Sequence, residues 1–249
     1  MLKQLSFLII QAGHEIKNIY EKKNSLNIFY KIDQSFVTNA DYISEKIIIK
    51  GLKRLTPNIP ILSEENNLDI QDCISCSKYW LIDPLDGTKD FINNYYEFTV
   101  NIALIEKGIP VLGFIYAPMY NTLYYTWEGI SWKEKDGIKK KIMVIDQNPP
   151  TIAISRFHND IELNKYISTI NNAKIIKLGS ALKFCLLAEG KIQLYPRFGR
   201  TAIWDIAAGH AIISAAGGFL RSMIPEKKID YIISSKKSIF NPGFIASVL

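Results

Sequence analysis

The sequence predicts a mixed α/β protein built from two differently organised parts, and three observations carry that prediction. Over residues 1–140, amphipathic helical stretches alternate with apolar runs joined by short turns, the pattern of helices packed on a largely antiparallel sheet. From about Pro149, over a second part spanning 141–249, strand-like and helix-like segments follow one another in turn, as in an α/β unit. The chain has 249 residues, 48% of them hydrophobic and 22% charged, enough for a substantial core and ordinary for a folded domain. No flexible linker separates the parts, and their boundary falls between residues 130 and 150.

The first helix runs to about Tyr20, with Leu5, Leu8, Ile9, Ala12, Ile16 and Ile19 at helical spacing. Its apolar run is too short and interrupted for a membrane span, and no small-residue cleavage site follows. The stretch SFVTNADYISEKIIIKGLKRLTP predicts a second helix with Ile43, Ile47 and Leu55 on its apolar face and Pro57 at its end. Thr38 followed by Asp41 reads as its N-terminal cap. NIPILSEEN predicts a short strand ending in Glu64 and Glu65, and KYWLID a buried strand ending in Asp83. EFTVNIALIEKGIPVLGFIYAP is a hairpin turning at Lys107-Gly108, and NTLYYTWEGISW adds further strand. The lysine-rich KEKDGIKKK at Lys133 to Lys141 reads as a solvated loop near a hairpin.

In the second part TIAIS, AKIIKLG and KIQLYP are strands. NDIELNKYISTI is a helix capped by Asn159 or Asp160, and SALKFCLLAEG one capped by Ser180 and stopped by Gly190. WDIAAGHAIISAAGG is a long helix that opens near Asp205 and ends at Gly217-Gly218. His14 and His210 lie within helical patterns and read as structural.

The net charge of +6 and pI of about 9.0 suit an anionic partner, but the basic residues are dispersed, which argues against a nucleic-acid groove. Cys73, Cys76 and Cys185 cannot form an even disulfide framework. The single CxxC has neither a second pair nor histidines to complete a zinc site, and it reads as a loop pair in a reducing cytosol.

The chemistry concentrates in KYWLIDPLDGTKDF. An apolar strand ends in Asp83, and Pro84 and Gly87 shape a turn that also carries Asp86 and Thr88. Two ionised carboxylates in one tight turn repel unless a cation or a proton lies between them. Oxygen donors without His or Cys suit Mg²⁺, and the Gly87-Thr88 step offers free amides to an anion. Glu64 with Glu65, and Asp205, occupy comparable element ends elsewhere in the chain. No GxxxxGK[ST] sequence is present, so the design is phosphatase-like rather than that of a P-loop NTPase.

LSEE, WLIDPLDGTKDF and WDIAAGHAIISAAGG, in that order, resemble the motifs of the inositol monophosphatase superfamily of Mg²⁺-dependent, lithium-sensitive phosphatases. GSALKFCLLAEGKIQLYPRFGRTAIWDIAAGHA resembles its bisphosphate nucleotidase branch, and the likeness runs from VTNAD to the terminal NPGF. The resemblance implies a layered αβαβα sandwich. It implies Mg²⁺ ligands at Glu64, Asp83, Asp86 and Asp205 with the Leu85 carbonyl, and leaves Glu65 open between a further metal position and simple solvation. It also implies that Thr88 and Asp41, with Glu64, handle the attacking water. Gly87, Thr88, His158, Ser180, Lys183, Arg197 and Asp205 would then contact substrate.

The expected reaction is Mg²⁺-dependent hydrolysis of adenosine 3',5'-bisphosphate to AMP and phosphate, in the sulfur metabolism of the cytoplasm. Attachment to the face of the inner membrane and the oligomeric state are left open, with no nucleic-acid partner and no integral membrane segment. The alternatives are an inositol or sugar phosphate phosphatase of the same superfamily, and a non-catalytic nucleotide-binding protein.

Overall fold

A computed structural model describes residues 1–22, 26–31, 35–66, 70–74, 76–157, 160–223, 226–235, 239–241 and 243–248. Helix α1 (Leu2–Glu21) buries the six apolar residues whose spacing predicted it. A small hairpin, β1 (Ile28–Tyr30) with β2 (Phe36–Thr38), leads into α2 (Asn39–Leu55). At its start Thr38 Oγ1 accepts from Ala40 N at 3.1 Å, and Asp41 Oδ2 accepts from Thr38 N at 2.8 Å. The buried stripe of α2 is Ala40, Ser44, Ile48 and Leu52, whereas Ile43 is 39% exposed and Ile47 and Leu55 only flank the core. The smaller residues face inward because α1 approaches closely: a Cβ on Gly51 would sit 2.3 Å from Leu8.

There follow β3 (Ile61–Ser63), α3 (Ile70–Cys73), β4 (Lys78–Asp86), α4 (Thr88–Ile92), β5 (Thr99–Glu106) and β6 (Ile109–Ala117). β7 (Thr122–Trp127), β8 (Ile130–Lys135) and β9 (Ile138–Lys141) complete a seven-stranded sheet ordered β3 to β9. Only β3 and β4 pair in parallel. Lys107 and Gly108, at φ 51° and 73°, supply the left-handed pair that a tight hairpin turn requires. The lysine-rich segment is not a loop but the β8–β9 hairpin, in which Lys135 pairs with Ile138. Its lysines occupy an exposed edge strand, where charge discourages further pairing.

The second part contains β10 (Thr151–Ser155), α5 (Ile161–Ser168), β11 (Lys174–Leu178), α6 (Leu182–Ala188) and β12 (Leu194–Arg197). Then come β13 (Thr201–Ala202), α7 (Ile203–Ala215), β14 (Phe219–Met223), β15 (Glu226–Lys228), β16 (Phe240–Asn241) and β17 (Phe244–Ser247). Six strands form a sheet in the order β11-β10-β12-β17-β14-β15, parallel across the first three and antiparallel beyond. Asp160 caps α5, accepting from Glu162 N at 2.8 Å, while Asn159 lies outside the described residues. Ser180 stands one residue before the N-cap position, at a left-handed φ of 50°, and its Oγ accepts from Leu182 N, the first amide of α6, at 3.3 Å.

The layers are α1 and α2, the seven-stranded sheet, α6 and α7, the six-stranded sheet, and α5: an αβαβα sandwich. β4 is buried on both faces, so its sequence is a continuous apolar run. Trp80 and Ile82 pack toward α1 and α2, whereas Tyr79 and Leu81 join the core around α6 and α7. α7 lies between the sheets and is apolar nearly all round. The three cysteines are free, and no described helix is long and apolar enough to cross a membrane.

Candidate active site

β4 does not stop at Asp83. It continues to Asp86 through a shift of register, with Asp83 opposite Asn101 and Asp86 opposite Thr99. Pro84 falls within that irregularity, where its missing N–H breaks no regular ladder. Ser44 Oγ on α2 donates to the Pro84 carbonyl at 2.8 Å and anchors the bend. Asp83 is completely buried, with Leu85 N donating to Oδ1 at 3.2 Å and no hydrogen-bond partner for Oδ2 among the described residues. Gly87, at φ 92°, then turns the chain into α4.

Thr88 Oγ1 stands 3.1 Å from the Leu85 carbonyl and 3.3 Å from Asp41 Oδ1, two acceptors for its one proton. Asp41 therefore both caps α2 and reaches Thr88. Its other oxygen is fixed by Thr38 N and by Thr38 Oγ1 at 2.6 Å. Burial raises the Asp41 carboxyl to about 6, with the Thr38 hydrogen bonds pulling the other way.

The remaining acids arrive from other elements. β3 runs parallel to β4, so Glu64 emerges at the same end of the sheet as Asp83, and its amide donates to the Ile82 carbonyl at 3.2 Å. Asp205 stands in the first turn of α7 and accepts from Ala202 N at 2.9 Å. Asp86 Oδ2 accepts from Ala181 N at 2.6 Å and from Asn101 Nδ2 at 3.3 Å, so a carboxylate from β4 ties down the chain entering α6.

Burial, together with the charges of their neighbours, pushes Asp83 and Asp205 well above the usual carboxylate range. Asp86 is raised to about 6, chiefly by burial and against the pull of Lys183. Lys31 donates to Glu64 at 2.8 Å and to Glu65 at 2.7 Å. Burial opposes the Lys31 charge, but the two glutamates outweigh it and its pKa rises. Burial and Glu64 still drive Glu65 up to about 8.

The cleft, of about 220 Å³, is also walled from the second part of the chain. Lys183 is 2% exposed, and its Nζ donates to the Ser180 carbonyl at 2.6 Å and the Leu178 carbonyl at 3.2 Å. Burial lowers its pKa to about 8 despite the nearby Asp86. Arg197 Nε and Thr201 Oγ1 are buried without hydrogen-bond partners among the described residues, and both residues line the cleft. Gly179 allows the close approach of the two parts, since a Cβ there would lie 2.4 Å from the Asp90 carboxyl.

Of the residues singled out in the sequence, Glu64, Asp83, Leu85, Asp86, Gly87, Thr88, Ser180, Lys183, Arg197 and Asp205 line this one cleft. Asp41 reaches it through Thr88, Glu65 is held by Lys31, and His158 lies outside the described residues. Sequence reasoning missed Lys31, Asn101 and Thr201. Only Asn101 left a signal, as a polar residue inside the apolar strand TVNIALIE.

The donor set fits a hard divalent cation: several oxygens, crowded negative charge, and one buried oxygen lacking a partner. As they stand, no three described His, Cys, Asp or Glu side chains are grouped closely enough to hold an ion. Lys31 holds Glu64 by an ion pair, and Asp86 is hydrogen-bonded to Ala181 N.

The sequence pattern of the Inositol monophosphatase family matches residues 1–247. Over its whole length the chain is 48% identical to the 3'(2'),5'-bisphosphate nucleotidase CysQ of Buchnera aphidicola, covering 94% of that protein. It is 46% identical to the protein of the same name from Escherichia coli K12, with each chain fully covered. The crystal structure of CysQ from Bacteroides thetaiotaomicron superposes with a TM-score of 0.84 at 34% identity, covering 99% of this chain and 97% of that one. On this pattern and these full-length similarities, the chain belongs to the inositol monophosphatase family.

Proposed function

We propose that the chain is a Mg²⁺-dependent 3'(2'),5'-bisphosphate nucleotidase that converts adenosine 3',5'-bisphosphate to AMP and phosphate. The observation that carries this reading is a single cleft in which a carboxylate cluster meets Lys183 and Arg197. Acids that can hold a cation suit the phosphate being hydrolysed, and the basic groups suit a second phosphate. The full-length similarity to proteins named for this activity supports the same substrate. Residues 1–140 supply most of the metal ligands and the phosphoryl-binding turn, and residues 141–249 supply Asp205 and the groups that select the substrate. Three free cysteines accord with a cytoplasmic location.

Glu64, Asp83, Asp86, Asp205 and the Leu85 carbonyl would hold Mg²⁺, which when bound supplies Lewis-acid charge to the water and phosphoryl oxygens. The chain's own part begins with Asp41, whose carboxyl near 6 is ionised at neutral pH and still basic enough to draw a proton. Thr88 Oγ1 donates toward Asp41 Oδ1 and turns a lone pair to the attacking water, orienting its oxygen at phosphorus. One proton of the water passes by way of Thr88 to Asp41 and on to solvent, while Glu64 receives a hydrogen bond from the other, which stays on the oxygen that joins phosphorus. The Gly87 and Thr88 amides receive the phosphoryl oxygens as negative charge shifts onto them. The new P–O bond forms as the bond to the ribose 3' oxygen breaks, and that oxygen leaves with a proton from solvent. Lys183 and Arg197 hold the 5'-phosphate, which stays on the product.

A phosphate-release panel tests the reading: adenosine 3',5'-bisphosphate, phosphoadenylyl sulfate, inositol 1-phosphate and fructose 1,6-bisphosphate, each with Mg²⁺ and with added Li⁺. The bisphosphate nucleotide is expected to be hydrolysed with the highest kcat/KM, and Li⁺ to inhibit. A higher kcat/KM for inositol 1-phosphate refutes the substrate assignment.

A further inference from the structure

The cleft, at about 220 Å³, is smaller than the roughly 300–1,000 Å³ of sites that enclose a drug-sized ligand. With both phosphates held inside it, by the acids and by Lys183 and Arg197, the base has to lie across its mouth. β10 sits between β11 and β12 and runs parallel to both, so its C-terminal end delivers the following residues beside Ser180 and Arg197. One of those residues is Phe157, which lines the cleft.

The Phe157 side chain is 41% exposed and belongs to none of the hydrophobic clusters among the described residues. Its orientation is nonetheless set. Tyr95 meets it nearly edge-on, with ring centroids 5.9 Å apart and planes at 70°. The Arg156 guanidinium lies 3.9 Å from the centre of the Tyr95 ring, and Arg156 is itself pinned by Asp90 and, at 3.1 Å, by Glu97. Asp90 is on α4, two residues beyond Thr88, so the ring is braced against the element that begins at the phosphoryl-binding turn. An exposed flat ring, held in place beside cationic groups, is the surface on which a nucleobase stacks.

We propose that Phe157 is the stacking platform for the nucleobase and so sets the preference for nucleotides over smaller phosphate esters. This rests on the nucleotidase reading above. Phe36 is the competing ring in the cleft, but it belongs to the β1–β2 hairpin, packs on Tyr30 at 5.3 Å, and lies on the side where Lys31 meets Glu64.

The test compares kcat and KM of the wild type, Phe157→Ala, Phe157→Trp and Phe36→Ala. The substrates are adenosine 3',5'-bisphosphate and its abasic analogue, 1-deoxyribose 3,5-bisphosphate. Phe157→Ala is expected to raise KM for the nucleotide about 5- to 100-fold more than for the abasic compound, and Phe157→Trp to restore the difference. Equal losses on both substrates, or a selective loss in Phe36→Ala instead, overturn the platform while leaving the nucleotidase reading intact. A wild type that hydrolyses neither bisphosphate overturns both.

Discussion

Replacing Asp86 with Asn tests whether the acid cluster is held together at the expense of stability. Burial raises this carboxyl from 3.8 to about 6, so ionising it in the folded protein costs roughly two pKa units, about 3 kcal/mol at most. An asparagine oxygen can still accept from Ala181 N. Asn101 Nδ2 reaches that same oxygen, so its contact survives as well, and the hydrogen bonds to the charged form are already contained in the net shift. Metal-free Asp86→Asn should therefore be more stable than the wild type by up to about 3 kcal/mol at pH 7.5, a rise of up to about 6–12 °C in melting temperature for a chain of this size.

The sign of the pH dependence follows from the raised pKa. Between 3.8 and about 6 the folded protein binds more protons than the unfolded chain, so wild-type stability falls as pH rises through that window. The advantage of the variant should accordingly vanish below about pH 4. Thermal melts in chelator across this range, with phosphate release measured alongside, give the comparison. Activity should fall at least about 100-fold as stability rises. A variant that melts below the wild type at pH 7.5 refutes the claim that burying this ionised carboxylate costs stability.

Two further outcomes follow from individual side chains. Thr88→Ala should lower kcat about 100-fold or more with little change in KM, because the hydroxyl orients the water rather than binding substrate, and steady-state phosphate release will separate the two constants. His210 is buried, its Nδ1 lies 3.0 Å from the Tyr231 hydroxyl, and burial, aided by the Lys228 charge, lowers its pKa from 6.5 to about 4. The unfolded chain thus takes up a proton that the folded protein refuses, and the wild type should lose up to about 3 kcal/mol as pH falls from 6.5 to 4. Denaturant titrations should show that loss reduced in His210→Gln.

Local features were legible wherever the physics is local. The capping residues Thr38, Asp41 and Asp160, the Lys107-Gly108 turn and the acid-rich end of β4 each depend on neighbours within a few positions, and each reads directly from the chain. The inward face of α2 was not legible, because apolar spacing marked Ile43 while the close approach of α1 selects Ser44 and Ala40. The site showed the same division. Asp83 and Asp86 announce themselves in one turn, whereas Glu64 and Asp205 gained their roles only through family resemblance. The contact between Asp86 and Ala181 joins residues 95 positions apart, and the ion pair of Lys31 with Glu64 joins residues 33 apart. No periodicity records such pairs, since they exist only once the layers have assembled. The burial of Lys183, a residue type that usually seeks water, is likewise a product of packing between the two sheets.

The assignment on which the mechanism stands is Mg²⁺ held by the carboxylates for hydrolysis of a bisphosphate nucleotide. It is tested most directly by phosphate release from adenosine 3',5'-bisphosphate, measured for the wild type and Asp83→Asn with Mg²⁺ and with EDTA. AMP and phosphate are expected from the wild type only with Mg²⁺, with a loss of at least about 100-fold in the variant. Release that continues undiminished in EDTA, or in Asp83→Asn, would contradict it.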